Sequence, residues 1–199
     1  NRFSINNKEF MNSNKIYDFL LVSRLLWDKG IGEFVAAAKI VKKKFSNINF
    51  YLLGSIDVEN PSSISKKQIA DWANEKYINY LGNVEDVRPF LASSKCIVLP
   101  SYREGTPRSL LEAGAMSVPI ITTNVPGCKE TVDDEKNGFL CKVKDPDDLA
   151  DKMMRFINLS DNQRKLMGIY GRNKMTNNFD EKIVINIYLD IINQNIKIN

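Results

Sequence analysis

The chain predicts an α/β fold, a doubly wound parallel sheet of Rossmann-like character. Three observations carry this. Short strand and helix patterns alternate along the 199 residues. The strand segments are near-continuous apolar runs, as strands covered on both faces are. Loops bearing glycine and polar residues follow several of them, where such a sheet holds its ligand.

Residues 1–15 are polar and asparagine-rich and read as a linker or lead-in to a single domain over 16–199. The start at Asn1, Arg2 and Phe3 without a methionine suggests a fragment. Tyr17–Val22 is apolar apart from Asp18 and is the first strand. A polar loop, 23–29, leads to Gly30 and a helix over 31–44, whose Phe34, Val35, Ala38 and Val41 share one face. A second strand spans 48–53 and ends in Gly54; a loop at Pro61, Ser62 and Ser63 precedes a helix over 64–73. A short strand at 78–81 ends in Gly82 and Asn83, and a short helix at 86–92 precedes the strand 96–99. Next come a glycine turn, a short helix and the apolar pair Ile120 and Ile121. Pro126 and Gly127 form a turn, and Phe139 and Leu140 a last strand. Asp145 caps a helix that has Pro146 in its first turn and runs to about Phe156; helices over 161–177 and 181–192 close the chain.

Composition removes several chemistries. There is no histidine, so Ser-His and Cys-His pairs, histidine zinc sites and a histidine base are excluded. Cys96, Cys128 and Cys141 are odd in number and lack metal spacing, as reduced thiols of a cytoplasmic protein would. A net charge of +4, with lysines and acids interspersed outside Lys42, Lys43 and Lys44, does not indicate a nucleic-acid binder. No apolar run approaches the roughly 18 residues of a membrane span.

Two constellations carry chemistry. In Ser23-Arg24-Leu25-Leu26-Trp27-Asp28-Lys29-Gly30 two cations sit just after a strand and before a helix start. Arginine's planar fork and lysine's point charge suit a diphosphate; the bland alternative is a pair of solvated surface cations. The second is Glu104 with Glu112, eight positions apart. Eight helical residues span roughly 12 Å. Hydrolase carboxyl pairs stand about 5 to 9.5 Å apart. If Glu104 precedes the helix the gap shrinks, yet the two acids still suit separate hydroxyl groups of one ligand. The alternative is a helix-start acid at Glu104 and a solvated acid at Glu112, the latter less comfortable among Leu110, Leu111 and Ala113. Asp145-Pro146-Asp147 matches the short Asp-x-Asp metal pattern but reads as a helix cap. Met153 and Met154 read as core.

Ser23-Arg24-Leu25 with Lys29-Gly30, the Glu-x7-Glu run from Glu104 to Glu112 and the loop Pro126 to Val132 together resemble the family 4 retaining glycosyltransferases of the GT-B type. The resemblance is to their carboxyl-terminal, donor-binding half and covers nearly the whole chain. It implies that Arg24 and Lys29 bind the donor diphosphate and stabilise the departing nucleoside diphosphate. Glu104 would touch the donor sugar and Glu112 the ribose diol. Gly105, Thr106 and Pro107 would form the turn beside diphosphate and sugar, and Gly82, Asn83 and Val84 would hold the base. Arg24, Lys29 and Glu104 would be the catalytic set. Two departures concern the helix end: Ser117 stands where the family usually has glycine, and Gly114 where a larger residue is common.

The implied activity moves a hexose or N-acetylhexosamine from a nucleotide-sugar, UDP-linked by expectation, to a glycan or lipid-linked acceptor in bacterial surface polysaccharide or oligosaccharide synthesis. No metal and no other cofactor is expected, since Arg24 and Lys29 neutralise the phosphates. The acceptor would bind an amino-terminal domain outside these residues, so the chain alone is expected to be inactive. The whole protein would be cytoplasmic, with peripheral association at the inner membrane face allowed for. Ile183, Val184, Ile187 and Ile191 of the last helix would meet the missing half or pack in the core. A nucleotide-sugar epimerase or hydrolase of the same fold, or a non-catalytic nucleotide-sugar-binding module, are the alternatives. A nicotinamide-binding module is excluded because the loop after the first strand has no glycine before Gly30.

Overall fold

The structure, a computed structural model, describes residues 16–56 and 59–196. The lead-in read at 1–15 lies outside the described residues. Six strands form one parallel sheet in the order β3-β2-β1-β4-β5-β6. They are β1 (Tyr17–Val22), β2 (Phe50–Leu53), β3 (Asn79–Tyr80), β4 (Ser94–Leu99), β5 (Ile120–Thr123) and β6 (Gly138–Cys141). The helices are α1 (Ile31–Lys42), α2 (Lys66–Asn74), α3 (Arg88–Ala92), α4 (Arg108–Ala115), α5 (Pro146–Ile157), α6 (Asp161–Phe179) and α7 (Glu181–Ile196). The chain winds outward from β1 to β3, then returns to β1's other side and winds out to β6. The doubly wound expectation is met.

Alternation along the strands divides the core. Phe19, Leu21, Phe50, Leu52, Cys96 and Val98 pack beneath α1, α2 and α5. Leu20, Tyr51, Leu53, Ile97, Leu99 and Ile120 pack beneath α3 and α4. Every strand residue from Cys96 to Leu99 is buried, which is why these runs lack the polar-out alternation of a half-exposed sheet.

Several boundaries differ from those read in the sequence. The strand expected at 48–53 begins at Phe50, because the Asn49 amide donates to Asp18 Oδ2 (3.0 Å), a side-chain acceptor. The strand expected at 78–81 has two residues; it is the sheet edge, with β2 as its single neighbour. The short helix starts at Arg88, because Asp86 Oδ1 accepts from the Arg88 amide (3.0 Å) and turns the chain before it. Asp145 is a cap, its carboxylate accepting from the Asp148 amide at 2.9 Å.

The two departures at the helix end have a packing role. A β-carbon on Gly114 would stand 2.7 Å from Met175 Cγ, so the small residue lets α6 approach α4. Ser117 occupies the left-handed region (φ 60°) that its usual glycine would adopt freely. Along α7, Ile183, Ile187 and Ile191 are exposed, as are Ile185, Tyr188, Leu189 and Ile192. The side chain of Val184 lies outside the described ones. Among the described residues no helix is long and apolar enough to cross a membrane.

Candidate functional site

The order in which the chain adds strands reverses between the parallel neighbours β1 and β4, and a crevice opens above the carboxyl ends of strands at such a point. The loop after β1 closes with a 3-10 turn, Trp27–Lys29, and Gly30 (φ 72°). A β-carbon at Gly30 would sit 2.0 Å from the Pro100 carbonyl oxygen, so the loops after β1 and β4 touch there. Tyr102 N donates to Asp28 O across the same gap at 2.9 Å.

The close approach joins two of the expected residues. Lys29 Nζ lies 2.7 Å from Glu104 Oε1, with side chains only 15% and 13% exposed. Lys29 and Glu104, read in the sequence as parts of two separate constellations, form one ion-paired unit. Glu104 also precedes α4, which starts at Arg108, so the 12 Å helical spacing to Glu112 does not apply and Glu104 is not simply a helix-start acid.

Pro107 caps α4 in extended conformation (ψ 118°). Its carbonyl oxygen accepts from Leu110 N (3.1 Å) and Leu111 N (3.2 Å), so the helix, with the positive end of its dipole, begins at this turn. Gly105 and Thr106 are exposed on this turn. Gly127, from the loop after β5, braces it from behind: its β-carbon position is 1.5 Å from Gly105 O, and its φ of 86° favours glycine.

Arg24 lines a different space. A cavity of about 200 Å³ has Val22, Ser23, Arg24, Gly54, Asn83 and Val84 in its wall. Gly82 O accepts from Gly54 N (2.8 Å), and Tyr80 Oη donates to Gly54 O (2.9 Å), which ties the ends of β2 and β3 below it. Arg24 thus joins the residues expected to hold the base. Lys29 joins the one expected to hold the sugar. The two cations of the loop thus line different parts of the site.

Glu112 faces a third space, an open cavity of about 560 Å³ between α4 and the α6–α7 junction, walled in part by Arg108, Arg172, Met175 and Phe179. Its carboxylate pairs with Arg108 at 3.7 Å and is 17% exposed. It is therefore neither a free solvated acid nor part of the wall around Arg24.

Beneath the site lies a floor of buried hydroxyls that the sequence reading missed. Ser101, Thr122, Thr123 and Thr131 are fully buried. The one signal in sequence, for Ser101, Thr122 and Thr123, is a polar residue at or within two positions of the end of an apolar strand; Thr131, in a 3-10 turn, carries none. Cys128 lies against Thr122 and Thr123, and burial pushes its thiol up. Beside the floor, Tyr102 Oη donates to Glu33 Oε1 at 2.6 Å; burial first, then Glu33 and Asp28, push the phenol up.

The family model for glycosyl transferases group 1 matches residues 3–174. The chain belongs to this family. It is 33% identical over 187 residues to the N,N'-diacetylbacillosaminyl-diphospho-undecaprenol alpha-1,3-N-acetylgalactosaminyltransferase of Campylobacter jejuni, covering 94% of this chain and 47% of that protein. It is 31% identical over 176 residues to the capsular polysaccharide biosynthesis glycosyltransferase CapM of Staphylococcus aureus, covering 88% and 45%. The chain thus spans about half the length of the curated relatives it matches. Among solved structures, Anabaena HepE in complex with UDP superposes with a TM-score of 0.78 at 18% identity, covering 90% of this chain and 49% of that one. That likeness is one of fold, and the family's GT-B architecture agrees with the sheet described above.

Proposed function

We propose that this chain is the donor-binding half of a retaining glycosyltransferase. It takes a UDP-linked hexose or N-acetylhexosamine and serves transfer to a glycan or lipid-linked acceptor in bacterial surface polysaccharide synthesis. The observation that carries the reading is the Lys29–Glu104 contact of 2.7 Å at the crevice between β1 and β4. A cation for a diphosphate and a carboxylate for sugar hydroxyls stand side by side there, at the start of a helix. The family membership, the substrates named for the Campylobacter relative and the UDP bound by HepE support it.

In this reading the base enters the cavity walled by Arg24, Asn83 and Val84, with Gly82 at its rim. The diphosphate crosses the α4 start beside Gly105, Thr106 and Pro107 and meets Lys29, with Arg24 approaching from the base side. Lys29 and Arg24 offset charge developing on the departing nucleoside diphosphate, which lowers the barrier to breaking the sugar–phosphate bond. Glu104 accepts from the sugar hydroxyls and Glu112 from the ribose diol. The two cations do the neutralising, so magnesium leaves donor affinity unchanged. The acceptor binds residues outside this chain, and the 199 residues alone transfer little sugar.

Calorimetry on this chain with UDP, GDP and ADP and their sugars tests the reading, with Glu112→Ala beside it. UDP-sugars are expected to bind most tightly and the variant to lose about tenfold, the scale of one charge-assisted hydrogen-bonded contact. Equal binding by the variant removes the ribose role; no binding of any nucleotide overturns the proposal.

A further inference from the structure

We propose that Ser101 is a positioning residue for the Lys29–Glu104 pair, and that Thr123 holds Ser101 in place. Ser101 follows β4 by two residues and is fully buried. Its Oγ lies 3.1 Å from the carbonyl oxygen of Asp28 and 3.2 Å from that of Arg103. These carbonyls belong to the residues immediately before Lys29 and Glu104. One hydroxyl hydrogen is therefore shared between the two peptide units that carry the two charged residues.

The join is reinforced on both sides. Tyr102 N donates to the same Asp28 oxygen at 2.9 Å. Thr123 Oγ1, at the end of β5, donates to Ser101 O at 2.5 Å, and Thr122 Oγ1 donates to Leu99 O at 2.7 Å. The loop after β1, the residues that follow β4 and the end of β5 are thus tied together next to the ion pair.

A buried hydroxyl finds a partner in almost any protein, so a satisfied serine alone says nothing. A turn serine serving only its own loop would bond locally, as Ser101 does to Arg103. The bond to Asp28 crosses 73 residues, and the Lys29–Glu104 contact spans the same two loops. A lysine loses much rotamer freedom when it is held on one acceptor, so the pair forms well only if the backbones already stand at the right separation. Ser101 sets that separation. Its functional consequence rests on the donor reading above; the positioning is a property of the unliganded chain.

The test is a double-mutant cycle in urea unfolding, with Lys29→Met and Glu104→Gln, in the parent, Ser101→Ala, Thr123→Val and Thr123→Ser backgrounds. The pair is expected to couple by roughly fivefold in the parent's unfolding constant. The coupling falls to about twofold or less in Ser101→Ala and Thr123→Val and returns in Thr123→Ser. A merely structural role lowers the stability of the first two backgrounds and leaves the coupling intact, which overturns the proposal, as does a parent coupling near onefold. Should Ser101→Ala not fold, the two Thr123 variants carry the comparison. In parallel, the gain in affinity of UDP-glucose over UDP shrinks several-fold in Thr123→Val and is restored in Thr123→Ser. A parent chain that binds no UDP-sugar defeats the donor reading, while the unfolding cycle still decides the positioning.

Discussion

The α-carbon of Gly127 lies so close to Gly105 that an added β-carbon would stand 1.5 Å from the Gly105 carbonyl oxygen and 2.5 Å from that of Glu104. The loop after β5 therefore serves as the back wall of the Glu104–Gly105 turn. Gly127→Ala adds both this overlap and a side chain at φ 86°. It is expected to lower stability by about 2–4 kcal/mol. The urea midpoint measures the loss. A cost under about 0.5 kcal/mol would mean the two loops move freely past each other.

The three cysteines make the protein sensitive to alkali. Burial pushes Cys141 up to about 12, and pushes Cys96 and Cys128 above the ordinary thiol range. An unfolded cysteine titrates near 8.5, so above that pH the unfolded chain releases protons that the folded chain keeps. Stability is full below about pH 8.5 and falls as pH rises from there toward the folded values. Each thiol contributes up to about 1.4 kcal/mol per pH unit in that window. Urea unfolding at stepped pH measures the slope, and Cys141→Ala is expected to make it shallower by about one proton. An unchanged slope in that variant would contradict the assignment.

Sheet and helices were legible because their signals are local. The burial of residues 96–99 and the stripe of Phe34, Val35, Ala38 and Val41 follow from apolar spacing alone. Element ends were less legible where a distant side chain took over, as Asp18 does at Asn49. Glu104 and Lys29 each stood out by motif. Their contact did not, because it bridges 75 residues and depends on β1 lying beside β4, an adjacency that no local pattern encodes. The split between Arg24 and Lys29 has the same origin: six residues of loop and 3-10 turn swing one toward β2 and β3 and the other toward β4. Ser101 and Thr123 were invisible for another reason. A hydroxyl after a strand looks like a solvated loop until the neighbouring loop is known to cover it.

Ser117 is a residual strain that can be relieved. It sits at φ 60° just past α4, where its amide donates to Gly114 O at 3.0 Å. The left-handed conformation costs an L-residue roughly 1–2 kcal/mol, against about 0.4–1 kcal/mol for the added unfolded-state freedom of glycine. Ser117→Gly is therefore expected to stabilise by about 0.5–1 kcal/mol, a rise in Tm of about 1–4 °C for a chain of this size. Calorimetric melting decides it, and a lower Tm would show that the serine side chain contributes more than its backbone costs.

Lys29 and Glu104 should separate by ligand. In the unliganded protein the ammonium is already neutralised by a carboxylate 2.7 Å away, so an arriving diphosphate must compete for it. Removing the lysine takes away the cation in every complex. Lys29→Met is expected to weaken UDP and UDP-glucose alike, by about tenfold or more at low salt. Removing the carboxylate's charge releases the lysine and, on the proposed donor reading, spoils the sugar contact. Glu104→Gln is therefore expected to bind UDP as tightly as the parent or more so, while UDP-glucose loses about tenfold relative to UDP. Side-by-side titrations of both ligands on both variants give the pattern. If Glu104→Gln loses UDP as severely as Lys29→Met does, the carboxylate orients the lysine rather than competing with the phosphate, and the ion pair is a preformed clamp for the diphosphate.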